Sequence, residues 1–130
     1  MGDAGALFLG VLLASLVIRL EPNTNTQIGS YITPIFLLAI PILDTTVAVT
    51  SRLRRGVSPF QGGQDHLSHR LIAVGFSRRT TALVLWSQVG IYGVFTILLT
   101  LTSKPYEYLV ILVGIFLWLV LFFIYTKLQI

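Results

Sequence analysis

The chain has 130 residues, of which 55% are apolar and 11% charged, and its formal net charge is +4. A soluble domain averages about 25% charged residues, so the composition excludes an ordinary water-facing domain and points to a single membrane domain over residues 1–130. The absence of cysteine excludes disulfides, iron–sulfur clusters and cysteine-bound zinc.

In chain order, the N-terminus lacks the positive charge that a signal peptide places before its apolar stretch; the first charge is Asp3. The first apolar stretch, Ala4–Ile18, is closed by Arg19. It is short for a span, which needs roughly 20 apolar residues, and crosses only if its flanks extend it. A polar, turn-rich linker, Glu21 to Thr26, follows. The second stretch, Tyr31–Val49, is interrupted by Pro34, Pro41 and Asp44. Pro41 frees a carbonyl one turn back, so the helix is expected to open locally. A longer polar segment, residues 51–79, precedes a third stretch, Thr80–Leu101. The tight connection Thr102 to Pro105 then leads into the fourth stretch, Tyr106–Tyr125, and makes the last two helices antiparallel neighbours. The expected fold is all-α: about four transmembrane helices plus one short helix in the loop.

Six of the nine Lys and Arg residues lie between Arg52 and Arg79. That is a basic loop between apolar stretches, so nucleic acid is not expected as a partner. By the positive-inside rule the loop is cytoplasmic, and with four spans both termini are cytoplasmic as well. Within the loop, Gly56, Pro59, Gly62 and Gly63 argue for ordered turns. Asp65 is expected to cap a short helix over residues 66–74, ended by Gly75, with Leu67, Leu71 and Val74 as its apolar stripe. His66, His69 and Arg70 are then expected on or near the other side. Ser77 is placed to cap the third span.

Asp3 has two readings. It is a helix N-cap, or a magnesium ligand beside phosphates, where Mg²⁺ takes one or two carboxylates plus phosphate oxygens and water. Asp44, inside an apolar stretch, either bonds another helix or serves function, since a carboxylate at that depth is costly. The arginines suit lipid headgroups or a diphosphate. Two histidines without cysteine fall short of a zinc site.

These residues form a recognisable set. MGDAGALFLG resembles the Met-Gly-Asp-x-Gly-Ser-x-x-Leu-Gly signature of the polyprenyl-phosphate N-acetylhexosamine-1-phosphate transferases. PILDTT, RLRRGVSPF and DHLSHRL, with the Gly-Phe-Ser-Arg leading into the next helix, resemble later segments of that family in the same order. The resemblance implies a multi-pass enzyme of the bacterial plasma membrane. Such enzymes use Mg²⁺ to transfer sugar-1-phosphate from a UDP-sugar to a polyprenyl phosphate, usually undecaprenyl phosphate, with release of UMP. The lipid-linked product starts peptidoglycan, lipopolysaccharide O-antigen or teichoic acid synthesis. Carried over by motif, Asp3 is the metal-linked catalytic aspartate and Asp44 an acidic catalytic-site position without an assigned role. Arg52, Arg54 and Arg55 are diphosphate contacts, and His66, His69 and Arg70 belong to the nucleotide-sugar loop.

Two departures accompany the match: Ala6 replaces the usual Ser, and Ser68 replaces a His of the cluster. The family's paired aspartates have no counterpart, for no Asp-Asp occurs here. The chain is therefore expected to correspond to the later part of such an enzyme, to need its N-terminal helices as partners, and to be inactive alone. The resemblance is closer to the UDP-GlcNAc-type initiating enzymes, because the branch that makes lipid I carries three adjacent histidines where this loop reads Asp65-His66-Leu67-Ser68-His69-Arg70, and it implies a UDP-GlcNAc donor. The alternatives are a phospho-MurNAc-pentapeptide transferase making lipid I, and a non-enzymatic small membrane protein or relic.

Overall fold

The computed structural model describes residues 3–19, 24, 26–59, 63 and 65–128. It is 82% helical, and the described residues contain no strand. Six helices follow one another: α1 (Asp3–Arg19), α2 (Gln27–Leu37), α3 (Ala39–Arg54), α4 (Leu67–Ala73), α5 (Arg78–Leu101) and α6 (Tyr106–Lys127). The chain is an all-α membrane protein.

α5 and α6 have 24 and 22 residues and are long and apolar enough to cross a membrane. At 1.5 Å per residue they reach about 36 and 33 Å, against a hydrocarbon core of about 30 Å. α1, with 17 residues, falls at the short end, as expected. Its Leu7, Phe8, Val11 and Leu16 are exposed.

The second apolar stretch becomes two helices, α2 and α3, bent by 64° at a break at Leu38. The cause is Pro41. It lacks the N–H that would bind the Leu37 carbonyl, and its ring crowds that carbonyl. Leu38 stays attached on both sides, donating to Pro34 O at 3.2 Å and accepting from Ile42 N at 2.9 Å. The Trp118 indole of α6 donates to Ala39 O at 3.0 Å, fastening the bend to the last span.

The core lies where α2, α3, α5 and α6 meet. Phe36, Tyr92 and Phe95 form an aromatic triangle with centroids 5.6 to 6.0 Å apart. Tyr92 also donates to Gly114 O at 3.0 Å. A Cβ at Gly114 would stand 2.3 Å from the Phe36 ring, so only glycine lets α2 approach α6 this closely. Gln88 donates to the Tyr125 hydroxyl at 2.7 Å, a second tie between the antiparallel α5 and α6.

At the opposite end from the loop, Thr26 caps α2 by accepting from Gly29 N at 3.0 Å and donates its hydroxyl to Glu107. Glu107 is fully buried, and its Oε2 has no hydrogen-bond partner among the described residues. Ser77 caps α5 as expected, accepting from Thr80 N at 3.2 Å.

Candidate active site

The site is built on α3, the turns after it, and α4. α3 ends at Arg54, and Gly56 follows at φ +68. Val57 N returns to Arg52 O at 3.0 Å, a closure that needs the left-handed residue and turns the chain back on itself.

Asp65 is the only acidic residue between Ser51 and Arg79. Its carboxylate takes Arg52 Nε on Oδ2 at 2.8 Å and Arg55 Nη2 on Oδ1. Arg52 Nη1 also donates to Pro59 O at 2.7 Å. One carboxylate thus holds two arginines from the end of α3. The Arg52 hydrogen bond, followed by that of Arg55, holds the Asp65 carboxyl below the usual carboxylate range, against the opposing effect of burial. The expected cap on α4 is therefore not made by Asp65, because its oxygens are engaged by the arginines.

The cap comes from α3. Asp44 Oδ1 accepts from Leu67 N at 2.7 Å, satisfying an orphan donor at the start of α4. Asp44 Oδ2 lies 2.9 Å from His66 Nδ1. α4 runs Leu67–Ala73, one residue shorter at each end than expected, with Val74 as its last half-turn and Gly75 beyond it at φ +106. Of its expected apolar stripe, Leu67 and Leu71 are buried and Val74 is exposed.

Arg70 takes the third inward position and is only 2% exposed. The expectation of an outward Arg70 is corrected here. Nε donates to Asp65 O at 2.9 Å, and Nη1 donates to Tyr125 O at 3.2 Å and Leu128 O at 2.7 Å. The last carbonyls of α6 have no intrahelical partner, and the guanidinium supplies one.

His66 and His69 are exposed, as is Arg54, and Arg55 is half-exposed. Beside Asp44 lies a largely apolar cavity of about 310 Å³ between α3, α4 and α5, lined by Ile40, Pro41, Asp44, Leu67, Leu85 and Val89 among others.

Asp44, Arg52, Arg55, His66 and Arg70 are thus brought together in one bonded framework, with Arg54 and His69 at its surface. Asp3 begins α1, and its side chain lies outside the described residues, as do Phe60, Gln61, Gly62 and Gln64 of the loop. From the sequence alone Asp65 takes only the role of a helix cap, although a lone acid in a segment with six arginines is a legible signal. Among the described residues no group of three His, Asp or Glu side chains is placed to hold a metal. The carboxylates of Asp44 and Asp65 are occupied by hydrogen bonds, so they do not make a magnesium site by themselves.

No family model matches the chain, and no solved structure matches it. Curated proteins do. A probable undecaprenyl-phosphate N-acetylglucosaminyl 1-phosphate transferase of Bacillus subtilis is 34% identical over 99 residues, 76% of this chain and 27% of its own length. A decaprenyl-phosphate N-acetylglucosaminephosphotransferase of Mycolicibacterium smegmatis is 31% identical over 101 residues, 70% of this chain and 25% of its own length. The undecaprenyl-phosphate alpha-N-acetylglucosaminyl 1-phosphate transferase of Escherichia coli K12 is 28% identical over 102 residues, covering 74% of the chain and 28% of the relative. The chain spans about a quarter of the length of the curated relatives it matches. Over roughly three quarters of its residues, the chain is similar to a C-terminal portion of polyprenyl-phosphate N-acetylglucosamine-1-phosphate transferases.

Proposed function

We infer that the chain supplies the loop-bearing part of a membrane transferase that moves GlcNAc-1-phosphate from UDP-GlcNAc to a polyprenyl phosphate, releasing UMP. The observation that carries this reading is the convergence of separate motifs on one framework. Asp44 bonds His66 and Leu67, Asp65 bonds Arg52, Arg55 and Arg70, and relatives of that activity match the chain.

In this reading the loop faces the cytoplasm, where nucleotide sugars are found, and α5 and α6 cross the bilayer. Asp65 preorganises Arg52 and Arg55. Arg54 and the free face of Arg55 offer guanidinium donors to the donor diphosphate, whose charge grows on the leaving phosphate during transfer. His66 and His69 border the same site. The apolar cavity beside Asp44 admits the first units of the prenyl chain. Mg²⁺ would neutralise charge on the diphosphate, with Asp3 as its candidate ligand in this chain and further carboxylates from N-terminal helices outside it. The exposed apolar side chains of α1 suit contact with those helices. By itself the chain is inactive.

The test is UMP release from UDP-GlcNAc, dependent on polyprenyl phosphate, by the longer protein that contains this segment. UDP-MurNAc-pentapeptide serves as the competing donor. Asp3→Asn should lower turnover on the order of a hundredfold with membrane insertion unchanged, since Asn caps a helix as well as Asp but is a poor metal ligand. Turnover with UDP-MurNAc-pentapeptide alone refutes the donor assignment. UMP release by the 130-residue chain alone refutes its dependence on other helices.

A further inference from the structure

We propose that Asp44 is a positioning residue that sets the tautomer of His66, leaving Nε2 of that ring as the proton acceptor for the incoming phosphate. This rests on the transferase reading above and deepens it.

The geometry comes from one carboxylate with two duties. Oδ1 is held by the Leu67 N–H at 2.7 Å, and Oδ2 faces His66 Nδ1 at 2.9 Å. A carboxylate oxygen only accepts, so Nδ1 carries the proton, and in the neutral ring Nε2 then carries the lone pair. His66 is the N-cap residue of α4 and its side chain is half-exposed, so its free edge meets solvent. The next residue back, Asp65, holds Arg52 and Arg55. A ring nitrogen is therefore fixed on the residue next to the carboxylate that gathers Arg52 and Arg55. α3 also sets where α4 begins, because the same Asp44 closes its first turn.

Such a group serves the monoanionic form of the acceptor. An alkyl phosphate holds its second proton until about pH 6, so a lipid phosphate reaching the site as its monoanion still carries one O–H. In the transfer an oxygen of that phosphate bonds to the β-phosphorus of the UDP-sugar. The bond from that phosphorus to the oxygen bridging to the α-phosphate breaks, and the electron pair leaves with UMP. The acceptor's proton passes to His66 Nε2, and the imidazolium then returns it to the phosphate of UMP. Protons and charge balance without a further reactant. Asp44 takes no part in the bond changes itself; it keeps the ring turned and stabilises the imidazolium.

The substitution Asp44→Asn separates these duties. The Leu67 N–H holds the amide oxygen in place, which turns the amide nitrogen, a donor, toward His66 Nδ1. The ring must then put its proton on Nε2. The chain has two histidines, so His69→Gln leaves the ring of His66 as the only signal in an ¹⁵N-histidine spectrum of the chain in a membrane mimetic. The expected result is a protonated Nδ1 and bare Nε2 in the parent, exchanged in Asp44→Asn. A parent ring protonated at Nε2, or a spectrum indifferent to Asp44→Asn, overturns the proposal. In the longer transferase, Asp44→Asn should lower kcat on the order of 10² to 10⁴ with KM changed only a few-fold. His66→Gln, which leaves the Asp44 bond to Leu67 intact, should match it, and the double variant should lose little more. A normal kcat in either variant overturns the proton step. If the parent releases no UMP from any donor, the transferase reading falls and the proton step falls with it. The tautomer spectrum then still decides whether Asp44 sets the ring.

Discussion

Arg70 lies in the motif that resembles a substrate loop, yet the structure uses it as a pin, and substitution tells the two roles apart. Arg70→Ala leaves three carbonyls, of Asp65, Tyr125 and Leu128, without their guanidinium donor. A hydrogen bond to a charged group contributes about 1.5–3 kcal/mol, and removing one partner of a buried charged network costs about 3–5 kcal/mol. The lower half of that range applies here, because Leu128 O is only part-buried and water reaches it once the guanidinium is gone. About 3 kcal/mol is a little over two decades in a local opening equilibrium. Amide exchange in α4 and in the last turn of α6 should therefore accelerate roughly a hundredfold, while the middle of α5 is unaffected. The assay is hydrogen exchange on the chain in a membrane mimetic. Arg70→Lys should recover little, since an ammonium does not span the three acceptors as a planar fork does. Unchanged exchange at both sites, together with a rise in KM for the UDP-sugar in the longer transferase, would refute the pin and return Arg70 to substrate contact.

Three further outcomes are expected. Asp65 has a lowered folded pKa, so the stability it confers is present above its unfolded value of 3.8 and is lost as the pH falls from there through the folded value. A spin label at Val57 should stay ordered at pH 5 and loosen only below the usual carboxylate range, and Asp65→Asn should be loose at every pH. Glu107→Gln keeps an acceptor for the Thr26 hydroxyl and should be nearly neutral, whereas Glu107→Ala should cost about 1–3 kcal/mol in chemical denaturation. The chain has no cysteine, so single cysteines at Val57 and Ser103 report topology cleanly: Val57 should be shielded in intact cells and Ser103 labelled from outside, and the reverse pattern refutes a cytoplasmic loop.

The spans were legible because their signal is local. An apolar run of about 20 residues has few alternatives to a membrane helix, so α5 and α6 fall within two residues of their expected ends. The break at Leu38 was legible from Pro41 for the same reason. The loop was harder. Asp65 has the spacing of an N-cap, and local propensity favours that reading. Two arginines 13 and 10 residues earlier, brought close by the turn at Gly56, outcompete a backbone N–H for the carboxylate. Once Asp65 is taken, the cap falls to Asp44, 23 residues before Leu67, and no rule of helix spacing links those two positions. The inward turn of Arg70 was hidden in the same way, since its acceptors lie 55 and 58 residues ahead in the chain.

That last distance bears on what the apolar C-terminal helix is for. The motifs end near residue 80, and α6 beyond them reads as a plain span. In the structure its two ends do different work. Its first turn receives Thr26 through Glu107, and its middle takes the α2–α3 bend through Trp118 and Gly114. Its last turn receives Arg70 from the loop. The bend and the loop are the two features that put Asp44 where it can reach Leu67 and His66. A helix that carries no chemistry of its own thus sets the relative position of the two segments that do. Substitutions along its buried face, Gly114 foremost, should disturb the loop before they disturb insertion into the membrane.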